Sequence, residues 1–258
     1  AAAAAEAIMT TDLSPKDTAV RVVTQAGTFH IGGMAKGSGM IEPNMATMLG
    51  FLTTDARVAS RLLQKALAEA AETTFNAITV DGETSTNDMV LMLAGGRSDV
   101  RIDDTDYPIF MEAVHAVCHK LALAIVRGGE GATKLVAITV TGAHTTSEAK
   151  QAARAVANSP LVKTAVHGGD PNWGRLVAVA GRSGVGFDLT HALVCIGTVE
   201  LFRNERIFPD REPAAAEHLS GAEIAISIDL GVGGTSTATV WTCDLSAEYI
   251  RINADYRT

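Results

Sequence analysis

Cysteine is scarce in this 258-residue chain, and Cys118, Cys195 and Cys243 are odd in number and far apart. They define neither a disulfide framework nor a zinc-ligand spacing, so a reducing, cytoplasmic setting is expected. No stretch of clustered Lys or Arg occurs, and the net charge is -8. That excludes the basic footprint of a nucleic-acid or anionic-membrane binder. No uninterrupted apolar run reaches the roughly 18 to 20 residues of a membrane-spanning helix, and no basic n-region opens the chain. Internal repeats and low-complexity linkers are also missing, and the opening Ala1 to Ala5 carries no functional weight. What is present is 47% hydrophobic and 19% charged residues, the balance of a folded chain long enough for two domains and suited to small-molecule chemistry.

Helix and strand patterns interleave, which predicts an α/β protein of α+β layers. Thr18 to Thr24 and Thr28 to Ile31 are strand-like around Ala26-Gly27, a hairpin signal. Ile31 to Gly39, IGGMAKGSG, is dense enough in glycine to be expected as an irregular loop. Val58 to Glu72 places Val58, Leu62, Ala66, Leu67 and Ala70 on one helical face. A short strand at Asn76 to Asp81, the polar loop GETSTND at Gly82 to Asp88, a helix marked by Phe110, Val114, Val117, Leu121 and Ile125, and a buried strand at Leu135 to Thr141 follow. Beyond them are a helix from Ser147 through Ala157, a strand near Leu161 to Val166, a turn at Gly168 to Pro171 and a helix over Trp173 to Ala180. The end of the chain reads as β structure at Ala192 to Ile196, Val199 to Phe208, Glu223 to Leu230 and Thr235 to Asp244. A domain boundary is expected near Gly142 to Ser147, giving units 1-145 and 146-258.

The most informative stretch is Lys36 to Leu49, KGSGMIEPNMATML. A glycine-rich turn, a stiffening Pro43 and a small Ala46 precede the hydroxyl of Thr47. Such a loop can present the Ala46 carbonyl to the Thr47 hydroxyl for an N-to-O acyl shift. Hydrolysis of the ester would leave Thr47 at a new chain start. Its freed α-amine, with an ordinary pKa of about 8, could act as base for its own hydroxyl. Read bottom-up, a Thr following Ala near the start of an apolar segment is more often a helix cap or packed residue than a nucleophile.

This segment resembles the scission site of the ornithine acetyltransferase family. EAIMTTD at Glu6 to Asp12, FNAITVDGETSTND at Phe75 to Asp88, GGEGATK at Gly128 to Lys134, DPNWGR at Asp170 to Arg175 and the terminal INADYRT resemble the same family in the same order. The resemblance implies an αββα sandwich bearing the nucleophile and a smaller C-terminal α/β domain whose last residues return to the active site. It implies self-cleavage between Ala46 and Thr47, then ping-pong transfer of acetyl from N-acetylornithine to glutamate through acetyl-Thr47. Substrate contacts carry over to Thr10, Lys36, Thr47, Glu130, Asn253 and Thr258. Lys36 suits a substrate carboxylate and Glu130 an ammonium group. No cofactor or metal is implied, acetyl-CoA as a second donor is left open, and cleaved subunits are expected to stay together as two α and two β chains. Family members carry a longer N-terminal portion supplying a Thr-Gly oxyanion hole, which has no match before Glu6. Arginine biosynthesis and specialised pathways such as clavulanic acid formation both remain open.

Other features read as structural. Glu112, His115 and His119 share a helical face, but it is the polar side of an amphipathic helix rather than a metal site. Glycines 32 to 39 lack the Gly-Lys-Ser/Thr ending of a nucleotide loop. In DPNWGR, Trp173 and Arg175 are of the types that recognise a carboxylate or cofactor, but the favoured expectation is that Asp170 caps a helix with Pro171 at its first position and Trp173 fills an interdomain contact. Asn87 and Asp88 are balanced between supporting Thr47 and building a hydrogen-bonded loop. The competing activity is amide hydrolysis by the same Thr, and a third reading is a binding protein without turnover.

Overall fold

The structure, a computed structural model, describes residues 2–39, 48–83 and 88–255. It divides into two units of equal length, Ala1–Gly129 and Glu130–Thr258. The division falls earlier than the expected 145/146 boundary, and the second unit is not the smaller one. The reason is the strand at Leu135–Ala143, which is hydrogen-bonded on both sides to strands near the end of the chain.

In the first unit, α1 (Ala2–Ala7) precedes β1 (Lys16–Thr24), β2 (Gly27–Lys36), β3 (Leu49–Thr54), β4 (Arg57–Val58), α2 (Ser60–Thr73), β5 (Met89–Ala94), β6 (Arg101–Ile102) and α3 (Tyr107–Arg127). The main sheet has the order β1-β2-β3-β5, with β3 and β5 parallel and the other pairs antiparallel. The expected hairpin forms, with Thr24 paired to Gly27. Glycines 32 and 33, expected in a loop, lie inside β2. The glycine at 33 admits α3: a Cβ there would stand 2.9 Å from Leu121 Cδ1 and Val117 Cγ1, so any larger residue would force these side chains to move. Only 37–39 form the irregular turn. The expected strand at 76–81 is reduced to a single bridge residue, Ile78, preceded by a 3-10 turn, Phe75–Ala77, and followed by bends.

Helix α3 is long and apolar enough by length and composition to cross a membrane, although no uninterrupted apolar run was expected to be. Its apolar residues are used otherwise: Phe110, Val114, Val117, Leu121 and Ile125 are buried, and the helix packs on β1, β2 and α2. On its other side Glu112 is exposed, while His115 and His119 are half-buried and stack at 5.8 Å. That side is therefore less solvated than the periodicity predicts.

The second unit contains β7 (Leu135–Ala143), α4 (Thr146–Ala157), α5 (Pro160–Gly168), α6 (Trp173–Gly181), β8 (Leu193–Ile196), β9 (Val199–Arg203), β10 (Arg206–Ile207), α7 (Glu212–Leu219), β11 (Glu223–Asp229), β12 (Ser236–Cys243) and α8 (Ala247–Asp255). Its six-stranded sheet runs β10-β9-β8-β11-β7-β12. Residues 161–166, expected as a strand, are helical in α5. Ser159 caps that helix by accepting from Val162 N, and Pro160 occupies its first turn, where its missing N–H costs nothing. Asn172, not Asp170, caps α6 by accepting from Arg175 N at 3.1 Å. Trp173 stacks on Phe202 at 5.6 Å within this unit rather than in an interdomain contact.

Candidate functional site

In the first unit, the residues singled out from sequence converge on one end of the main sheet. Lys36 is the last residue of β2 and pairs with Leu49, the first of β3. Leu49 in turn pairs with Met89, the first of β5. Met48 and Asp88, each one residue ahead of its strand, therefore stand side by side. Met48 N donates to Asp88 Oδ1 at 2.6 Å, and Met89 N donates to Met48 O at 3.1 Å. Ala46 and Thr47 themselves lie outside the described residues, as do residues 84–87 of the polar loop.

Lys36 is 6% exposed, so its ammonium is held at the sheet end rather than in bulk solvent. Its charge acts on Asp88. Burial pushes the Asp88 carboxyl above the ordinary aspartate value, and the Met48 N–H and Lys36 oppose this without cancelling it.

Asp12 joins the Thr10 segment to the turn after Lys36. Its Oδ1 accepts from Gly37 N at 2.8 Å and from Lys16 Nζ, while its Oδ2 accepts from Thr10 N at 3.3 Å. Burial raises this carboxyl, but the Gly37 N–H and Lys16 outweigh burial and leave it below the ordinary value. Ser38 Oγ lies 3.1 Å from Gly128 O and 3.4 Å from Thr11 O, so it can donate to either carbonyl. Thr10 is exposed beside this network. Asp12 had not been singled out for a role, although it ends the EAIMTTD motif.

The second unit brings two more of the expected residues together. Asn253 Nδ2, on α8, donates to Glu130 Oε2 at 2.9 Å. The approach is set by Gly131, whose φ is 68° and where a Cβ would stand 2.5 Å from Tyr249 N. Ser246 Oγ donates to Gly131 O at 2.6 Å. Asp244, 2% exposed, fixes the same loop by accepting from Thr133 N (2.7 Å), Thr133 Oγ1 (2.6 Å) and Lys134 N (2.8 Å), and pairs with His167 Nδ1 (2.6 Å). Burial raises the Asp244 carboxyl, and the Thr133 and His167 contacts more than reverse this. Sequence reading missed Asp244 because a lone acid after an alternating strand carries no local mark. Thr258 lies outside the described residues.

DPNWGR takes no part in either cluster. Arg175 Nη1 donates to Leu161 O at 2.7 Å, a helix-to-helix tie between α6 and α5. Among the described residues, no three His, Cys, Asp or Glu side chains gather as a metal site.

Comparison with known proteins places these features in a family. The ArgJ family profile matches residues 1–258. The chain is 49% identical over 258 residues to the arginine biosynthesis bifunctional protein ArgJ of Dehalococcoides mccartyi, a match that covers 98% of this chain and 63% of that protein. It is 51% identical over 256 residues to the protein of the same name from Chlorobium chlorochromatii, covering 99% and 59%. The chain thus spans less than two thirds of the length of these curated relatives. A crystal structure of arginine biosynthesis bifunctional protein argJ from Bacillus halodurans is 40% identical, with a TM-score of 0.77, over 81% of this chain and 100% of that one. The α/β class expected from sequence agrees with that structure, and the chain belongs to the ArgJ family.

Proposed function

We propose that this chain carries the nucleophile of an ornithine acetyltransferase, with Thr47 released by scission of the Ala46-Thr47 bond and acetylated in the course of transfer from N-acetylornithine to glutamate. The observation that carries this reading is the sheet end where Lys36, Met48 and Asp88 meet. Thr47 directly precedes Met48 in the sequence.

The chemistry follows from groups at hand. The Thr47 α-amine takes the proton of its own hydroxyl as Oγ attacks the acetyl carbon. The C–N bond to ornithine then breaks, and the proton passes to the departing amine. Glutamate reverses the sequence, its amine attacking the acetyl ester and freeing Oγ. Lys36 provides a partner for a substrate carboxylate, with Thr10 exposed beside it. Glu130 and Asn253 form the hydrogen-bonded pair that would receive an ammonium group, joined by Thr258. The oxyanion hole is assigned to the family's N-terminal portion. No cofactor is needed for this cycle, acetyl-CoA being an alternative donor only. The products of scission would remain associated as two α and two β subunits in the cytoplasm, serving arginine biosynthesis.

The test is intact mass with and without Thr47→Ala. Two fragments from the parent and one uncut chain from the variant are expected; identical masses would sink the reading. Ornithine release that ignores added glutamate would instead indicate hydrolysis.

A further inference from the structure

Helix α8 buries none of its residues, and Ile250, midway along it, is 66% exposed. Hydrophobic packing of an apolar face, which places most helices in folded proteins, therefore does not place this one. Asn253 on its last turn is nonetheless held closely. Its Nδ2 donates to Glu130 Oε2 at 2.9 Å and to Tyr249 O at 3.0 Å, so both amide hydrogens are engaged. A slip of about 1 Å between α8 and the loop carrying Glu130 would break the first of these contacts. Polar groups just ahead of the helix do what packing does not. Ser246 Oγ donates to Gly131 O at 2.6 Å, tying the residue before α8 to the residue after Glu130. At Gly131 a Cβ would stand 2.5 Å from Tyr249 N and 2.8 Å from Ser246 Oγ. Two residues earlier in the chain, Asp244 accepts from Thr133 N, Thr133 Oγ1, Lys134 N and His167 Nδ1. Four donors fill the acceptor positions of one carboxylate, so Asp244 acts on the loop rather than on a ligand.

We propose that Ser246 is a positioning residue for the ammonium subsite: from a strap of residues 244–246 anchored by Asp244, it holds the Glu130 loop against α8 and so sets Asn253 in register with Glu130. This rests on the reading of Glu130 and Asn253 as the pair that receives an ornithine ammonium group. Ser246 acts through Gly131 O, not on the ligand. The ligand meets a Glu130–Asn253 pair that is already assembled. Without the Ser246 hydroxyl the pair has to be ordered at each binding event, and that ordering appears as lost affinity.

Calorimetric titration of the 258-residue chain with ornithine tests this. Ser246→Ala removes the donor and should weaken ornithine binding about three- to tenfold, the effect of one hydrogen bond. Ser246→Thr keeps a hydroxyl and should recover most of that affinity. In the Ala variant, amide hydrogen exchange should quicken along α8 while β7, β11 and β12 keep the parent's protection. A folded Ala variant that binds ornithine as tightly as the parent would overturn the assignment, and so would one whose unfolding temperature falls while its affinity does not. The reading beneath the proposal fails in a different way. A parent chain that binds no ornithine, or a Glu130→Gln variant that binds it as the parent does, would remove the ammonium subsite itself and the proposal with it. Should Ser246→Ala not fold, the parent protein decides the matter. Ornithine should slow exchange in α8 and in residues 130–134 together, and slowing of only one of them, or of neither, would refute the coupling.

Discussion

At the scale of single residues, the candidate clusters are held by carboxylates that accept hydrogen bonds from backbone N–H groups. Asp244 is the clearest case. Its removal by Asp244→Ala would leave the Thr133 and Lys134 N–H groups without the acceptor they now share, at about 1 to 3 kcal/mol, and thermal unfolding should register the loss. The pH dependence has a definite sign. Its folded carboxyl lies below the ordinary 3.8, so the unfolded chain binds the proton more readily. The contribution is present in full above that value and is lost as pH falls through the lower folded one. Acid titration of stability should therefore be shallower in Asp244→Asn than in the parent below about pH 4; equal slopes would show that Asp244 contributes nothing to acid unfolding. Lys36, Glu130 and Asn253 are singled out in the sequence because the family pattern marks them, and the structure sets Asn253 against Glu130. Asp244 is not singled out, since its value comes from partners more than seventy residues away.

At the scale of elements, what escaped sequence reading was packing rather than periodicity. Helices α2, α3 and α4 and strands β8, β11 and β12 follow their apolar spacing, and each was visible. Residues 161–166 were not, because Ser159-Pro160 reads as a stop for one helix when it also caps the next. β3 and β5 were missed because LGFLTT and MVLMLA lack the clear alternation of a half-buried strand. The glycines of β2 misled for a tertiary reason: their density suggested a loop, whereas Gly33 is the floor on which α3 rests. A pair of substitutions separates these explanations. Gly33→Val should destabilise by about 1 to 3 kcal/mol, as overpacking does, because its Cβ would meet Leu121 and Val117 at 2.9 Å. At Gly32 a Cβ meets nothing nearer than 3.8 Å, so Gly32→Ala should leave stability unchanged or raised by about 0.4 to 1 kcal/mol. Denaturant unfolding compares the two, and equal losses would remove the close-approach account.

At the scale of the whole molecule, the two sheets dispose of their faces differently. In the second unit, Ile138, Val140, Ile226, Ile228 and Val240 point into one core, while the opposite face carries polar pairs such as Thr139 with Thr239 at 2.9 Å. Strand β5 of the first unit lacks that polar alternation. Met92 is buried, but Met89, Leu91 and Leu93 are 43, 40 and 56% exposed, and β5 pairs only with β3 in the described sheet. Contiguous apolar exposure on a sheet face is uncommon in isolated domains. The relatives are longer than this chain, and the exposed residues of β5 form an apolar face on the described sheet. The chain of 258 residues should accordingly bind an environment-sensitive apolar dye while fully folded, and the double substitution Leu91→Thr with Leu93→Thr should remove at least half of the signal without lowering the unfolding temperature. Both side chains point out of the core, so their truncation opens no cavity there. Dye binding that survived the double change would locate the apolar surface elsewhere. A loss of thermal stability would mean that the outer face of β5 is already packed.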